Sequence, residues 1–382
     1  MKIKKIIVLG AGMVGKAIAI DLAGKHDVTA ADIDQESLVF LADNYNITTI
    51  GVNLMEEERI SDLVKDYDLV VSAVPGFMGY DILRTVIEAG KNIVDISFMP
   101  ENFMDLNALA AEKGVTAITD CGVAPGMPNL IVGYHNEHME IDTFEYVVGG
   151  LPFVKVYPFY YKAPFSPVDV VEEYTRPARY IEKGKRMTKP AMSEPEMMFF
   201  SKVGTLEAFY TDGLRSLLSN MDHIPNMKEK TLRYPGHIQL IQALKTAGFF
   251  GKEPVTVNNR AIRPIDFTSK VLIRDWKLDP EEREFTVMRI RLSGLQDGEH
   301  KEVVYDLYDV YDEKEKLSSM ARTTGFTATA NAELILEGHF GGKGVYPLEL
   351  IGLDDECYHF VMDYLQERNV KFEIKENGKR ID

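Results

Sequence analysis

Over residues 1–120, short apolar runs alternate with segments whose apolar positions recur every three to four residues. The first run, Lys5-Ile6-Ile7-Val8-Leu9, leads directly into Gly10-Ala11-Gly12-Met13-Val14-Gly15, after which Val14, Ala17, Ile18 and Leu22 share one helical face. Further strands are predicted at Val28–Ala31, Ile47–Val52, Asp68–Pro75, Asn92–Ile96 and Val115–Thr119. Helical patterns at Ser37–Asn44, Glu56–Val64, Tyr80–Ala89 and Leu106–Glu112 lie between them, the last two stopped by Gly90 and Gly114. Uninterrupted apolar strands spaced by helices predict an α/β fold with a doubly wound parallel sheet covered on both faces.

Past a helix over Leu130–His138 the pattern changes. Phe144–Val148 reads as a strand, and Leu151–Phe165 is dense in aromatics and prolines. Residues 140–317 show no strand–helix rhythm. Instead Glu284–Leu292 and Glu302–Val310 alternate apolar and polar residues around Gln296-Asp297-Gly298-Glu299, an antiparallel hairpin with Asp-Gly at its turn. Helices are expected at Ile238–Ala247 and Thr324–Glu337. The region therefore reads as a second, α+β domain with a mixed or antiparallel sheet. The charged tail from Lys371 to Asp382 ends in a short strand or frays.

The glycine run has a chemistry. Gly10 permits the tight turn out of the strand, Gly12 lets the backbone approach a pyrophosphate, and Gly15 lets the helix pack closely on the sheet. The helix N-terminus then offers N–H groups and a positive dipole end to phosphates. Asp32 ends the second strand 22 residues after Gly10, where a carboxylate accepts hydrogen bonds from ribose hydroxyls and repels a 2′-phosphate. The expected cofactor is NAD; Asp34 is a second candidate for the ribose.

Composition narrows the rest. The chain has 382 residues, 45% hydrophobic and 27% charged, with net charge −16. That acidity argues against nucleic-acid and anionic-membrane partners. No run of apolar residues is long enough to span a bilayer. The basic, then apolar N-terminus belongs to the nucleotide turn rather than to a signal peptide. Two distant cysteines, Cys121 and Cys357, form no disulfide framework and suit the reducing cytoplasm. His135 and His138 read as surface helix residues, and no metal site is expected.

Ligands on such sheets bind beyond the carboxyl ends of the strands, which singles out Gly10–Gly15, Asp32–Asp34, Ser72–Met78, Asp95–Met99 and Asp120–Met127. The chain resembles the saccharopine dehydrogenase-like family, and within it most closely the lysine 6-dehydrogenase type. The resemblance is carried by Gly10–Gly15, Val71-Ser72-Ala73-Val74-Pro75, Cys121-Gly122-Val123-Ala124-Pro125-Gly126, Tyr174-Thr175-Arg176-Pro177-Ala178, Leu206–Gly213 and Lys230-Thr231-Leu232-Arg233-Tyr234-Pro235-Gly236-His237, in that order. It implies an NAD-binding domain over residues 1–121, to which 318–348 returns. Residues 122–317 and 349–382 would then form a substrate-binding domain that supports a homodimer. Met13, Val14, Ala73, Val74 and Pro75 join Gly10, Gly12, Gly15 and Asp32 as cofactor contacts.

The implied reaction is NAD-dependent oxidation of an amino acid's side-chain amine, L-lysine first, giving a semialdehyde that cyclises to piperideine-6-carboxylate. A secondary amine, as in saccharopine or carboxynorspermidine, is the alternative substrate, and an NAD-binding sensor without catalysis the alternative class. Hydride can leave only from a neutral amine, so the site needs a base or proton path; an arginine fork suits the substrate carboxylate. Arg233 is the first candidate for that fork and Arg176 the second. His237 is an acid–base candidate because its usual pKa is near neutral. Asp95 and Asp120, at strand ends, would bind the ammonium or relay its proton. Cys121 reads as a small packing residue or pocket contact. Asp212 lines the pocket or caps a helix near Leu214, and Ser97 and Tyr234 are further substrate contacts by position.

Overall fold

The computed structural model describes residues 2–164, 167–279 and 282–381; Phe165 of the aromatic stretch lies outside the described residues. In chain order the first elements are β1 (Lys5–Leu9), α1 (Met13–Ala23), β2 (Asp27–Asp32), α2 (Gln35–Tyr45), β3 (Thr48–Gly51), α3 (Glu57–Leu63), β4 (Leu69–Ser72), α4 (Gly76–Glu88), β5 (Ile93–Asp95), α5 (Asn107–Lys113), β6 (Thr116–Thr119) and α6 (Met127–His138). Then come β7 (Glu140–Pro152), α7 (Pro167–Thr175), β8 (Ala178–Glu182), β9 (Lys185–Lys189), β10 (Glu196–Phe200), β11 (Gly204–Tyr210), α8 (Leu217–Asn220), β12 (Asn226–Arg233), α9 (His237–Thr246), β13 (Val255–Val257), β14 (Arg260–Ile262) and α10 (Pro264–Trp276). The chain closes with β15 (Glu284–Gln296), β16 (Glu299–Val310), α11 (Ser319–Leu336), β17 (Gly344–Pro347), α12 (Leu348–Ile351), α13 (Asp355–Glu367), β18 (Phe372–Glu376) and β19 (Lys379–Arg380).

The chain folds into two compact units, residues 1–140 with 320–371 and residues 141–319 with 372–382. The first unit is built on a seven-stranded sheet of order β17-β6-β5-β4-β1-β2-β3, parallel throughout. Its inner strands are buried over nearly their whole length, Lys5 at the start of β1 excepted, which is why they read as apolar runs. The order reverses at β1/β4, and the crevice at such a switch point is where doubly wound folds bind ligands. These unit boundaries depart from a division at 121/122. The reason is the packing of α6: a Cβ on Gly133 would come 2.2 Å from the Glu349 carbonyl, and Tyr134 stacks on Tyr358 of α13 at 3.9 Å. The close backbone approach at Gly133 and the ring stack at Tyr134 hold α6, α12 and α13 in the first unit.

The second unit carries a mixed sheet with the path β10-β11-β12-β7-β15-β16-β18-β19, and β8–β9 attached through β12. β7 and β12 run parallel, whereas β15 and β16 form the long antiparallel hairpin the alternation predicted. Its turn residues Asp297 and Gly298 both have positive φ (53° and 82°), as a twisted two-residue turn requires. Strands β8 to β12 carry no comparable alternation: Lys185–Lys189 is exposed and polar along most of its length. The tail forms β18 and β19 rather than fraying.

Candidate active site

In the first unit the site starts from glycine geometry. Gly10 has φ +101°, and a Cβ there would lie 2.5 Å from the Ala73 carbonyl oxygen; a Cβ on Gly15 would lie 2.0 Å from the Gly10 oxygen. These two glycines are demanded by the protein itself. Gly12 is different. A Cβ there would meet nothing within 4 Å, so no protein packing explains the residue. Gly12 is also the N-cap of α1, with no side-chain cap and no acidic residue in the first turn. Open space above an uncapped helix N-terminus fits a dinucleotide pyrophosphate, with Met13 and Val14 opening the first turn. Pro75 plays the corresponding part at α4, where it is the N-cap, and Val74 is buried beside it.

Asp32 ends β2. Its carboxylate accepts hydrogen bonds from the Ala11 N–H at 2.5 Å and the Asp34 N–H at 2.9 Å, which fix it against the glycine turn. Asp34 is occupied differently: its side chain caps α2, accepting from the Glu36 N–H and the Ser37 hydroxyl. That capping bond to Ser37 holds the Asp34 carboxyl below its ordinary value.

Asp95 ends β5 and Asp120 follows β6 at the same sheet edge, and both are buried. Burial pushes the Asp95 carboxyl up to about 7, against the pull of hydrogen bonds from Ser97, and the nearby Asp120 raises it further. The Ser97 hydroxyl lies 2.8 and 2.7 Å from the two Asp95 oxygens, so Ser97 serves the carboxylate. Gly79 makes room, since a Cβ there would sit 2.1 Å from that hydroxyl. Cys121 is fully buried, its thiol turned to the Thr327 carbonyl of α11 at 3.7 Å. Burial raises the Cys121 thiol well above its usual range, first among causes, so it is not a thiolate. Among the described residues no group of three His, Cys, Asp or Glu is arranged to hold a metal ion.

The second unit places its expected residues in two groups. Arg233, at the end of β12, is sealed in the core: Nε donates to the Tyr174 hydroxyl (3.0 Å), Nη1 to the Leu232 carbonyl (3.0 Å) and Nη2 to Glu173 (2.8 Å). Its guanidinium lies 4.3 Å from the Tyr161 ring centre. Glu173 is raised from its ordinary value because burial outweighs the Arg233 charge. His237 opens α9, but it does not cap the helix; the ring is buried, with Nδ1 2.7 Å from the Phe159 carbonyl and Nε2 2.9 Å from the Tyr174 hydroxyl. Nδ1–H therefore donates to the carbonyl and Nε2 accepts. Burial, then Arg233, lowers His237 to about 3, leaving it neutral. Tyr234 donates to the Pro152 carbonyl at 2.9 Å.

The other group surrounds Asp212, which takes a bidentate bond from Arg179 (2.8 and 2.9 Å) and caps no helix. Arg176 is lowered from its usual value, first by burial and then by the guanidinium of Arg215. Arg179 and Arg215 were absent from the sequence expectations; only the fold brings Arg179 to Asp212 across 33 residues, and Arg215 close to Arg176. Glu229 was missed for the same reason. It is buried, accepts from Thr211 Oγ1 at 2.8 and 2.7 Å and from the Gly213 N–H at 3.1 Å, and is pushed up to about 8 by burial.

The parallel sheet, the switch point and the Gly12 cradle define a nicotinamide-dinucleotide-binding protein of the Rossmann class. The family model of the saccharopine dehydrogenase NADP binding domain matches residues 6–118, and that of the saccharopine dehydrogenase C-terminal domain matches residues 122–370. The chain belongs to the saccharopine dehydrogenase family. The mitochondrial alpha-aminoadipic semialdehyde synthase of Rattus norvegicus is 21% identical over 462 residues, covering 98% of this chain and 48% of that protein. The chain thus spans about half the length of the first curated relatives it matches. The carboxyaminopropylagmatine dehydrogenase of Synechocystis sp. is 21% identical over 374 residues, covering 90% of this chain and 92% of the relative. The apo saccharopine dehydrogenase (L-Glu forming) of Saccharomyces cerevisiae shares the fold, with a TM-score of 0.78 at 19% identity over 98% of this chain and 99% of that one.

Proposed function

We propose that the chain is an NAD-dependent dehydrogenase that oxidises the carbon bearing an amino acid's side-chain amine, with L-lysine as the leading substrate. The observation that carries this reading is Asp95, a buried carboxyl at the cofactor edge of the sheet, poised at about 7 beside Asp120. A group titrating there can take the ammonium proton at neutral pH, which frees the nitrogen lone pair as hydride departs. Bound nicotinamide supplies the hydride acceptor. Asp120 holds the charge of the ammonium. Arg233 and His237 keep the core of the second unit rather than touching substrate. NAD is favoured over NADP because Asp32, Asp34 and Glu36 put three carboxylates and no cation at positions 32–36, where a 2′-phosphate would meet repulsion.

The secondary-amine reading is supported by the Synechocystis relative, a carboxyaminopropylagmatine dehydrogenase, whose length this chain nearly spans. A homodimer is supported by Met197 and Phe199, 60% and 68% exposed on the outer strand β10. A reducing compartment is supported by two free, buried cysteines.

The test is absorbance of reduced cofactor with L-lysine, L-ornithine, cadaverine and saccharopine, with NAD and with NADP. Turnover with NAD and a primary amine is expected, and the reverse reaction with aldehyde plus amine separates the secondary-amine reading. Asp95→Asn should lower kcat/KM by about 10²- to 10⁴-fold and remove the limb of the pH profile near 7. Calorimetric NAD binding without turnover of any compound would replace the enzyme by a sensor.

A further inference from the structure

We propose that Ser72 and Thr119 are positioning residues for Asp95: their hydroxyls donate to its carboxylate while it waits for a proton and release it when the proton arrives. The catalytic consequence rests on the reading of Asp95 as the proton acceptor; the contact itself does not. Strands β4, β5 and β6 are parallel neighbours. Ser72 stands opposite Asp95. The β5–β6 register sets Ile93 opposite Ala117 and Val94 opposite Ile118, and its next step puts Thr119 beside Asp95 on the other side. Opposed side chains share a sheet face, and neighbouring strands lie about 4.8 Å apart. A hydroxyl–carboxyl–hydroxyl row therefore crosses the sheet at its carboxyl ends, and all three residues are 0% exposed. Two residues back on the same face the row is Val70, Ile93 and Ala117, all members of the apolar core. Apolar side chains give way to hydroxyls on both sides of Asp95, in its own row.

An ionised carboxylate accepts about four hydrogen bonds. Ser97 supplies Asp95 with its N–H at 3.1 Å and its hydroxyl at 2.8 and 2.7 Å, which leaves acceptor capacity on a carboxyl away from water. Among the described residues Ser72 Oγ and Thr119 Oγ1 find no hydrogen-bond partner, although both are buried. A buried hydroxyl of that kind burdens the fold unless one state of the site uses it. The ionised carboxylate is that state, because it only accepts, whereas the protonated acid has less capacity to accept and a proton of its own to donate. Burial raises the Asp95 carboxyl to about 7, and Ser97 and then Ser72 draw it back. Of its titratable neighbours, Asp120 pushes it up and Cys121 keeps a neutral thiol. From α4 the side facing it is Gly79, whose missing side chain leaves the Ser97 hydroxyl its place.

Carbon-13 NMR of the aspartate-labelled full chain tests this, with the Asp95 signal identified by its loss in Asp95→Asn. In Ser72→Ala and in Thr119→Val the Asp95 titration midpoint should rise by about one pH unit, a tenfold change in acidity, and Thr119→Ser should keep the parent value. The limb of kcat/KM near neutral pH should move with it, while NAD affinity stays unchanged. Urea midpoints of the two variants should match the parent near pH 5, where the carboxyl is protonated in the folded chain, and fall below it near pH 9, where the carboxylate has lost a donor. An Asp95 midpoint that stays at the parent value in either variant, or a stability loss equal at both pH values, overturns the proposal. A raised midpoint without turnover of any amine upholds it and removes the dehydrogenase reading instead.

Discussion

Two polar clusters in this molecule displace the pKa values of their residues, and they do so for opposite ends. At the sheet edge of the first unit, Asp95 is buried yet surrounded by short loops, a small residue at Gly79 and a hydroxyl that follows the carboxyl's charge. In the second unit, Glu173, Arg233, Tyr174 and His237 are walled in by Tyr161, Phe159 and Trp276, and their polar atoms close on one another. His237 at about 3 is further from its ordinary value than many catalytic groups, but the displacement comes from burial in a finished network. A shifted pKa by itself therefore does not mark a site.

The contrast can be broken most sharply at Arg233. Replacing it with Met leaves the half-buried Glu173 carboxyl without its ion-pair partner, so the Arg233→Met protein should lose about 2 kcal/mol or more of stability in a urea titration. A variant of normal stability with only KM raised would instead make Arg233 the substrate's carboxylate fork. Gly12→Ala probes the other side. Gly12 has φ −67° and open space where the methyl would go, so stability should hold within about 0.5 kcal/mol. NAD should bind about tenfold weaker or worse, read by fluorescence titration, because the methyl occupies the pyrophosphate's approach. Equal NAD affinity would show that the open space is not the cofactor's.

The smallest effect concerns Glu229. Its carboxyl is raised to about 8 in the native protein, so the folded state holds a proton the unfolded chain has released. Its contribution is complete below the ordinary glutamate range and is lost as pH rises through about 8. Urea midpoints should therefore fall from pH 5 to pH 9, and Glu229→Gln, which keeps an acceptor for the Gly213 N–H, should flatten part of that slope. An unchanged slope would place the alkaline loss elsewhere.

The legibility of these regions differs for a physical reason. The nucleotide unit was readable because its determinants are local: a buried parallel strand must be apolar along its whole length, and a turn at φ +101° must be glycine. The Asp297-Gly298 hairpin announced itself the same way. Strand β9 did not, because an exposed strand imposes no period on its side chains. Arg179 reaches Asp212 across 33 residues, and Thr211 reaches Glu229 across 18, distances over which no sequence pattern is written.

By itself, then, the chain's order of residues determined the parallel sheet, the glycine turn after β1, and the family. Tertiary structure alone decided that Arg233 and His237 are sealed by each other's company, that Cys121 faces a helix carbonyl, and that α6 belongs to the first unit through Gly133. Backbone demands are met within a few residues and leave a local signature. Desolvation and ion pairing depend on what the fold brings near from far along the chain.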